Sequence, residues 1–218
     1  MKLEFDGIQF KYNEHPLLSG IYVKCETGKI TGLLGRNGAG KSTLLKIVFG
    51  SLKTDVKSVR VDDQFVHQPA FSRKFISYLP QESFIPSYLT LQEILVLYKI
   101  EINSIVEDFP EFSDELNKKK DQLSGGTIRL FENLLILLST SPFCFFDEPF
   151  TGLSPVMIER LINCMTHKKS DKGILITDHL YRHVVKTADD LYLLLNGKTY
   201  FIKSAEDLVR RGYLADVD

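Results

Sequence analysis

In the stretch Gly35-Arg36-Asn37-Gly38-Ala39-Gly40-Lys41-Ser42-Thr43, the eight residues from Gly35 to Ser42 match the spacing G-x-x-x-x-G-K-[ST]. Glycines at these positions let the chain turn so that successive backbone N–H groups face one concavity. A helix beginning there adds the positive end of its dipole, and the result suits a polyphosphate. Lys41 would then reach the β- and γ-phosphates, and Ser42 would offer its hydroxyl to Mg²⁺. The flanks agree with this reading. Lys29 to Leu34 ends in an apolar run that predicts a buried strand, and Ser42 to Phe49 carries helical apolar spacing closed by Gly50.

A phosphate loop alone only binds; hydrolysis also needs a metal site and a group that activates water. The apolar run Phe143-Cys144-Phe145-Phe146 ends in Asp147-Glu148. Asp147 fits the role of holding Mg²⁺ opposite Ser42, and Glu148, just clear of the strand, is placed to polarise water as a general base. An acidic pair at a strand end is by itself usually a solvated turn; the phosphate loop upstream singles this one out. Gln81 follows the strand Phe75–Leu79 and Pro80, and could ligate Mg²⁺ or orient water. His179 follows the strand Ile174–Thr177 and could donate a hydrogen bond to the γ-phosphate. His15, His67, His167 and His183 have no such setting. In an open α/β sheet ligands bind beyond the carboxyl ends of the strands. Four segments that each follow a predicted buried strand are therefore expected to converge on one edge.

The stretch Leu123-Ser124-Gly125-Gly126 precedes an amphipathic helix expected from Thr127 to about Leu138. It offers a second backbone anion site, with a serine hydroxyl. If that second site cannot reach the first within one chain, it must serve the nucleotide of another chain.

The elements that must position these groups follow from periodicity. Residues 1 to 26 alternate apolar and polar, which predicts half-buried antiparallel strands, and Val56 to Val66 alternates again. Residues 82 to 124 change character. Thr90 and Glu93 form a capping box opening a helix through about Ile100, and Phe109-Pro110 to Gln122 reads as helical and charged, so this region is expected to be a small helical lobe inserted in the sheet. Ser154-Pro155 starts a helix with Val156, Ile158, Leu161, Ile162 and Met165 on one face, and Leu180 to Ala188 is helical. Asn196-Gly197 joins two strands as a hairpin, and a last helix follows Ser204.

Composition narrows the function classes. With 27 basic and 28 acidic side chains the formal net charge is −1, which gives no electrostatic case for nucleic acid or an acidic membrane surface. No run approaches the roughly 20 apolar residues that span a bilayer, and the N-terminus has no signal-peptide core, so a cytosolic protein is expected. Cys25, Cys144 and Cys164 lack metal spacing and read as buried reduced thiols.

From about Leu3 to Gly212 the chain resembles the nucleotide-binding subunit of an ATP-binding cassette (ABC) ATPase. The likeness rests on the phosphate loop, Gln81, the Leu123–Gly126 signature, Asp147-Glu148 and His179 in the family's order. It implies an α/β P-loop core with a mainly parallel sheet, an N-terminal antiparallel β subdomain and a helical subdomain at about 82–124, making one ABC domain over 1–218. It further implies ATP and Mg²⁺ as cofactors and a head-to-tail dimer that sandwiches two ATP, with Ser124, Gly125 and Gly126 acting on the partner's nucleotide. Tyr12 would stack on adenine, with Phe10 as the neighbouring alternative; Gly35 to Thr43 would cradle phosphates; Gln81 would contact the metal; Asp147 and Glu148 would serve as metal ligand and base, and His179 as the switch histidine. The expected partners are a second such subunit and a membrane-spanning permease at the cytoplasmic face, with no direct nucleic acid. Two positions depart from the family pattern: Thr127 stands where glutamine is common, and Ser154 where an aspartate is. A non-transport cassette acting on nucleic acid or ribosomes, and an ATP-gated module with weak hydrolysis, are the alternative readings.

Overall fold

A computed structural model describes residues 1–67 and 74–215. Strands β1 (Lys2–Tyr12), β2 (His15–Leu18) and β3 (Tyr22–Glu26) open the chain; β4 (Ile30–Leu34) belongs to a second sheet, and β5 (Val56–Val61) and β6 (Gln64–Phe65) return to the first. That first sheet is antiparallel, in the order β2-β1-β5-β6 with β3 also paired to β1. The second sheet adds β7 (Ile76–Leu79), β8 (Phe143–Asp147), β9 (Gly173–Thr177), β10 (Asp190–Leu195) and β11 (Lys198–Ile202) in the order β11-β10-β4-β9-β8-β7. Its strands run parallel except β11, which the Asn196-Gly197 turn folds back on β10; both turn residues have positive φ, at +50° and +73°.

The central strands read as unbroken apolar runs because both faces of the parallel sheet are covered. On β8, Phe143 and Phe145 pack with the antiparallel sheet and α1 (Lys41–Phe49), while Cys144 and Phe146 pack with the other helices. Those helices are α2 (Leu91–Tyr98), α3 (Asn103–Val106), α4 (Gly125–Leu137), α5 (Pro155–Lys168), α6 (Tyr181–Thr187) and α7 (Ala205–Arg210). All three cysteines are free and buried, as their apolar settings predict.

Two local expectations are corrected. The segment 109–122 is not one helix: it forms short 3₁₀ turns at Pro110–Asp114 and Lys120–Gln122. Between them the Leu116 and Lys118 carbonyls accept from the Gln92 and Leu91 N–H groups, which are among the donors a helix start leaves unpaired, so they serve α2 and not a local helix. Phe109 and Phe112, three apart, are both buried and in ring contact with each other, and Phe112 packs in turn on Phe131. On α5, Val156 is 65% exposed; the buried stripe is Ile158, Leu161, Cys164 and Met165, and two residues back from Ile158 lies the opposite side of a helix. The expected capping box of Thr90 and Glu93 is present, and α4 begins at Gly125, two residues earlier than its periodicity suggests.

The strand that feeds the phosphate loop is held against α6 through Gly32. A Cβ there would lie 2.6 Å from Leu191 Cδ1, 2.8 Å from Val184 Cγ1 and 3.1 Å from Ala188 Cβ. Gly32→Ala is expected to lower stability by about 1–3 kcal/mol, read as a lower urea midpoint at unchanged m-value.

Candidate functional site

Strands β4, β7, β8 and β9 all end at the same edge of the parallel sheet, so the loops that follow them meet. The loop after β4 turns through Gly38 and Gly40 at φ +78° and +102°, and α1 starts at Lys41. At Gly40 the left-handed φ favours glycine, and a Cβ would crowd Leu18 Cδ2 at 3.1 Å and Leu17 Cγ at 3.2 Å. The Lys41 side chain is almost buried, and its Nζ donates to the Gly35 and Arg36 carbonyls at 2.7 and 3.2 Å. Burial pushes its pKa below the ordinary lysine value, while Glu148, Asp147 and Asp178 act in the other direction. An ammonium held this way, with backbone carbonyls as its nearby acceptors, gains from an arriving phosphate anion.

Opposite the loop, Ser42 Oγ donates to Asp147 Oδ1 at 3.0 Å, and Tyr78 Oη donates to Asp147 Oδ2 at 3.0 Å. Gln81 Nε2 donates both to Ser42 Oγ at 3.0 Å and to Glu148 Oε1 at 3.1 Å. His179 Nδ1 lies 3.4 Å from Asp178 Oδ1 and 3.7 Å from Glu148 Oε2. Asp147 is fully buried, and burial raises its pKa above the usual aspartate range against the opposing hydrogen bonds from Ser42 and Tyr78. Asp178 is raised for the same reason, against the Leu180 and Phe150 N–H groups that bond its two oxygens.

Sequence and structure meet closely here. Asn37, Gly38, Gly40, Lys41, Ser42, Thr43, Gln81 and Glu148 line one cleft of about 340 Å³, together with Leu17. Gly35 and Ala39 shape the loop from its inner side, Gly35 close to the Leu194 carbonyl and Ala39 packed on the core. Arg36 turns away and donates to the Gly212 carbonyl at 2.9 Å. Tyr12 and the Ser124–Gly126 turn are also not among the residues that line the cleft. Tyr12 is 67% exposed near the β1–β2 turn. Ser124, Gly125 and Gly126 form the start of α4, where Ser124 Oγ caps the helix by accepting from the Thr127 N–H at 3.0 Å and pairs with Thr127 Oγ1 at 2.8 Å. Ser154 plays the same capping part for α5, accepting from Met157.

Three functional neighbours escape sequence reasoning: Tyr78, Asp178 and Arg129. Tyr78 touches Asp147 only because β7 pairs with β8 in register. Arg129 carried a readable signal, since Arg129, Glu132 and Asn133 fall on one face of an otherwise apolar helix, a spacing that places them together.

The oxygen donors Ser42 and Asp147, with the Gln81 carbonyl, have the hard chemistry Mg²⁺ takes. Among the described residues no group of three or more His, Cys, Asp and Glu could hold a metal alone. A cation here would complete its shell with phosphate and water oxygens, as Mg²⁺ commonly does.

Residues 18–151 match the family model described as ABC transporter. The high-affinity branched-chain amino acid transport ATP-binding protein BraG of Pseudomonas aeruginosa is 27% identical over 209 residues, covering 90% of each chain. The lipopolysaccharide export system ATP-binding protein LptB of Haemophilus influenzae is 28% identical over 234 residues, covering 98% of this chain and 97% of its own. A solved structure of an ATP binding subunit of an ABC transporter superposes with a TM-score of 0.83 at 24% identity, covering 98% of this chain and 94% of its own. A nucleotide-free ATP-binding cassette from an ABC transporter gives 0.78 at 24% identity, covering 99% and 96%. At that identity the two structures establish the fold.

The raised pKa of Asp147 has a thermodynamic consequence. The folded state holds that proton more tightly than the unfolded chain, so this group's contribution to stability falls as pH rises through and above the ordinary carboxylate value near 4. Asp147→Asn is therefore expected to melt above the wild type at pH 8, with the gap closing toward pH 4. Differential scanning fluorimetry across that range checks it, and a variant melting lower at pH 8 contradicts it.

Proposed function

Because this chain belongs to the ABC transporter family as an ATP-binding subunit that hydrolyses ATP, we propose that it powers a transporter whose membrane-spanning permease is a separate subunit. Two copies close on two ATP and open after hydrolysis. The observation that carries the reading is the hydrogen-bonded set Ser42–Asp147, Ser42–Gln81 and Gln81–Glu148 beside the nearly buried Lys41.

Each residue's part follows from its chemistry. The N–H groups of the loop and Lys41 hold the β- and γ-phosphates of ATP. Ser42, Asp147 and the Gln81 carbonyl hold Mg²⁺, which supplies charge neutralisation at the phosphates. Glu148 orients the attacking water and takes its proton, Gln81 donates a hydrogen bond to the Glu148 carboxylate, and His179, 3.7 Å from its other oxygen, is the switch histidine that donates to the γ-phosphate. Tyr12, or Phe10 beside it, stacks on the adenine. Ser124, Gly125 and Gly126 lie away from the cleft at a helix N-terminus, which supports their action on the partner's nucleotide.

The subunit sits at the cytoplasmic face of the membrane, bound to its permease. Among the described residues no helix is long and apolar enough to cross a membrane, which is in keeping with a separate permease. Cargo belongs to that permease: relatives of nearly equal identity are named for branched-chain amino acid transport and for lipopolysaccharide export.

Glu148→Gln is expected to lower the hydrolysis rate about 10²- to 10⁴-fold while leaving ATP binding intact and yielding a dimer with ATP that survives size-exclusion chromatography. Near-normal phosphate release by this variant would remove Glu148 from the role of base. Lys41→Ala should instead lose nucleotide affinity, measured by equilibrium binding of a fluorescent ATP analogue.

A further inference from the structure

Helix α4 buries three polar side chains on one face: Arg129, Glu132 and Asn133 are 7%, 1% and 0% exposed. Burying an ion pair seldom adds stability over apolar packing, so such a group calls for a positional reason. The Arg129 guanidinium has one. Its Nη1 donates to the Pro80 carbonyl at 2.7 Å, and its Nη2 donates to the Asp147 and Glu148 carbonyls at 2.7 and 2.8 Å. Glu132, 3.6 Å from Arg129, accepts from Ser83 Oγ at 2.6 Å and from the Phe84 N–H at 2.9 Å. Asn133 Nδ2 donates to the Pro149 carbonyl at 3.0 Å.

The pattern is specific. Pro80 precedes Gln81, and Ser83 and Phe84 follow it, so one helix face grips the chain on both flanks of Gln81. The same guanidinium grips Glu148, whose backbone sits at φ +54°, a conformation non-glycine residues seldom adopt. Two successive carbonyls can face one donor only if the chain turns between them, and that turn lies at Glu148. Arg129 thus binds the carbonyl of the residue just before Gln81 and the carbonyl of Glu148 itself, so it holds the chain beside both partners of the 3.1 Å Gln81–Glu148 hydrogen bond.

We propose that Arg129, braced by Glu132, is a positioning residue for ATP hydrolysis: it sets the separation and orientation of Gln81 and Glu148 without touching the nucleotide. Because Ser124 caps α4, which begins at Gly125, the same contacts tie the Ser124–Gly126 turn to the chain around Gln81 and Glu148. A shift at that turn is passed to the base through Arg129 and Glu132. The inference rests on the reading of Glu148 as the base.

The test is Arg129→Lys in the full chain, since one ammonium keeps the charge but cannot span the three carbonyls. The expected result is a kcat lower by about 10- to 100-fold with the ATP dissociation constant within about threefold of wild type. Hydrogen exchange on the protein without nucleotide should quicken at the Phe84 and Glu148 amides and stay unchanged in β4 and β9. A kcat within about twofold of wild type, a loss of affinity as large as the loss of rate, or faster exchange spread evenly over the chain would each overturn the proposal. Should Arg129→Lys fail to fold, the same measurements on Glu132→Gln decide, because glutamine keeps an acceptor oxygen for Phe84 and removes the charge facing Arg129. A Glu148→Gln control separates the two readings. If it hydrolyses normally the base assignment fails, whereas an inactive Glu148→Gln beside a normal Arg129→Lys defeats this proposal alone.

Discussion

The Asp147 carboxylate is buried at the end of an apolar strand, and much of the site follows from how that group is kept satisfied. Unpaired it would cost several kcal/mol, so each oxygen takes a hydroxyl, one from Ser42 at the start of α1 and one from Tyr78 on β7. These bonds join three elements distant in sequence. They also put Ser42, the side chain suited to a cation, beside the carboxylate that would share it. Burial raises the pKa of Asp147, so holding it ionised costs the folded chain free energy. A bound cation would relieve that cost, which is how a destabilised group becomes a binding group.

The sheet makes this economy possible. Parallel strands covered on both faces leave their carboxyl ends as the place where loops with free polar groups can gather. Of the four loops there, the one after β4 supplies donors, and those after β7, β8 and β9 supply Gln81, Glu148 and His179. The loops after β7 and β8 have little regular structure of their own. Their shape comes from α4, whose buried arginine, glutamate and asparagine take up backbone groups that would otherwise be unpaired.

Local chemistry made much of this legible in the amino-acid order. The phosphate loop, the Asn196-Gly197 hairpin, the capping box at Thr90 and the buried runs of β8 and β9 each depend on neighbours within a few residues, and each is found where expected. The charged segment 109–122 departs from its helical pattern because its Leu116 and Lys118 carbonyls serve the N–H groups of α2. Val156 lies off the buried stripe because apolar character alone does not reveal which side of a helix's first turn faces the core.

Residue types and spacing by themselves determined that a polyphosphate cradle, an acidic pair and a signature turn occur in one α/β chain. Those features are set by backbone freedom at glycine, by strand periodicity and by helix starts, all short-range. Only the tertiary structure decided that Tyr78 holds Asp147, that Arg36 leaves the cleft for Gly212, and that Arg129 holds Pro80, Asp147 and Glu148 together. The physical reason is separation along the chain: these contacts join residues brought within 3 Å by strand register at Tyr78 and by helix and loop packing at Arg129 and Arg36, and no local preference encodes which element lies beside which.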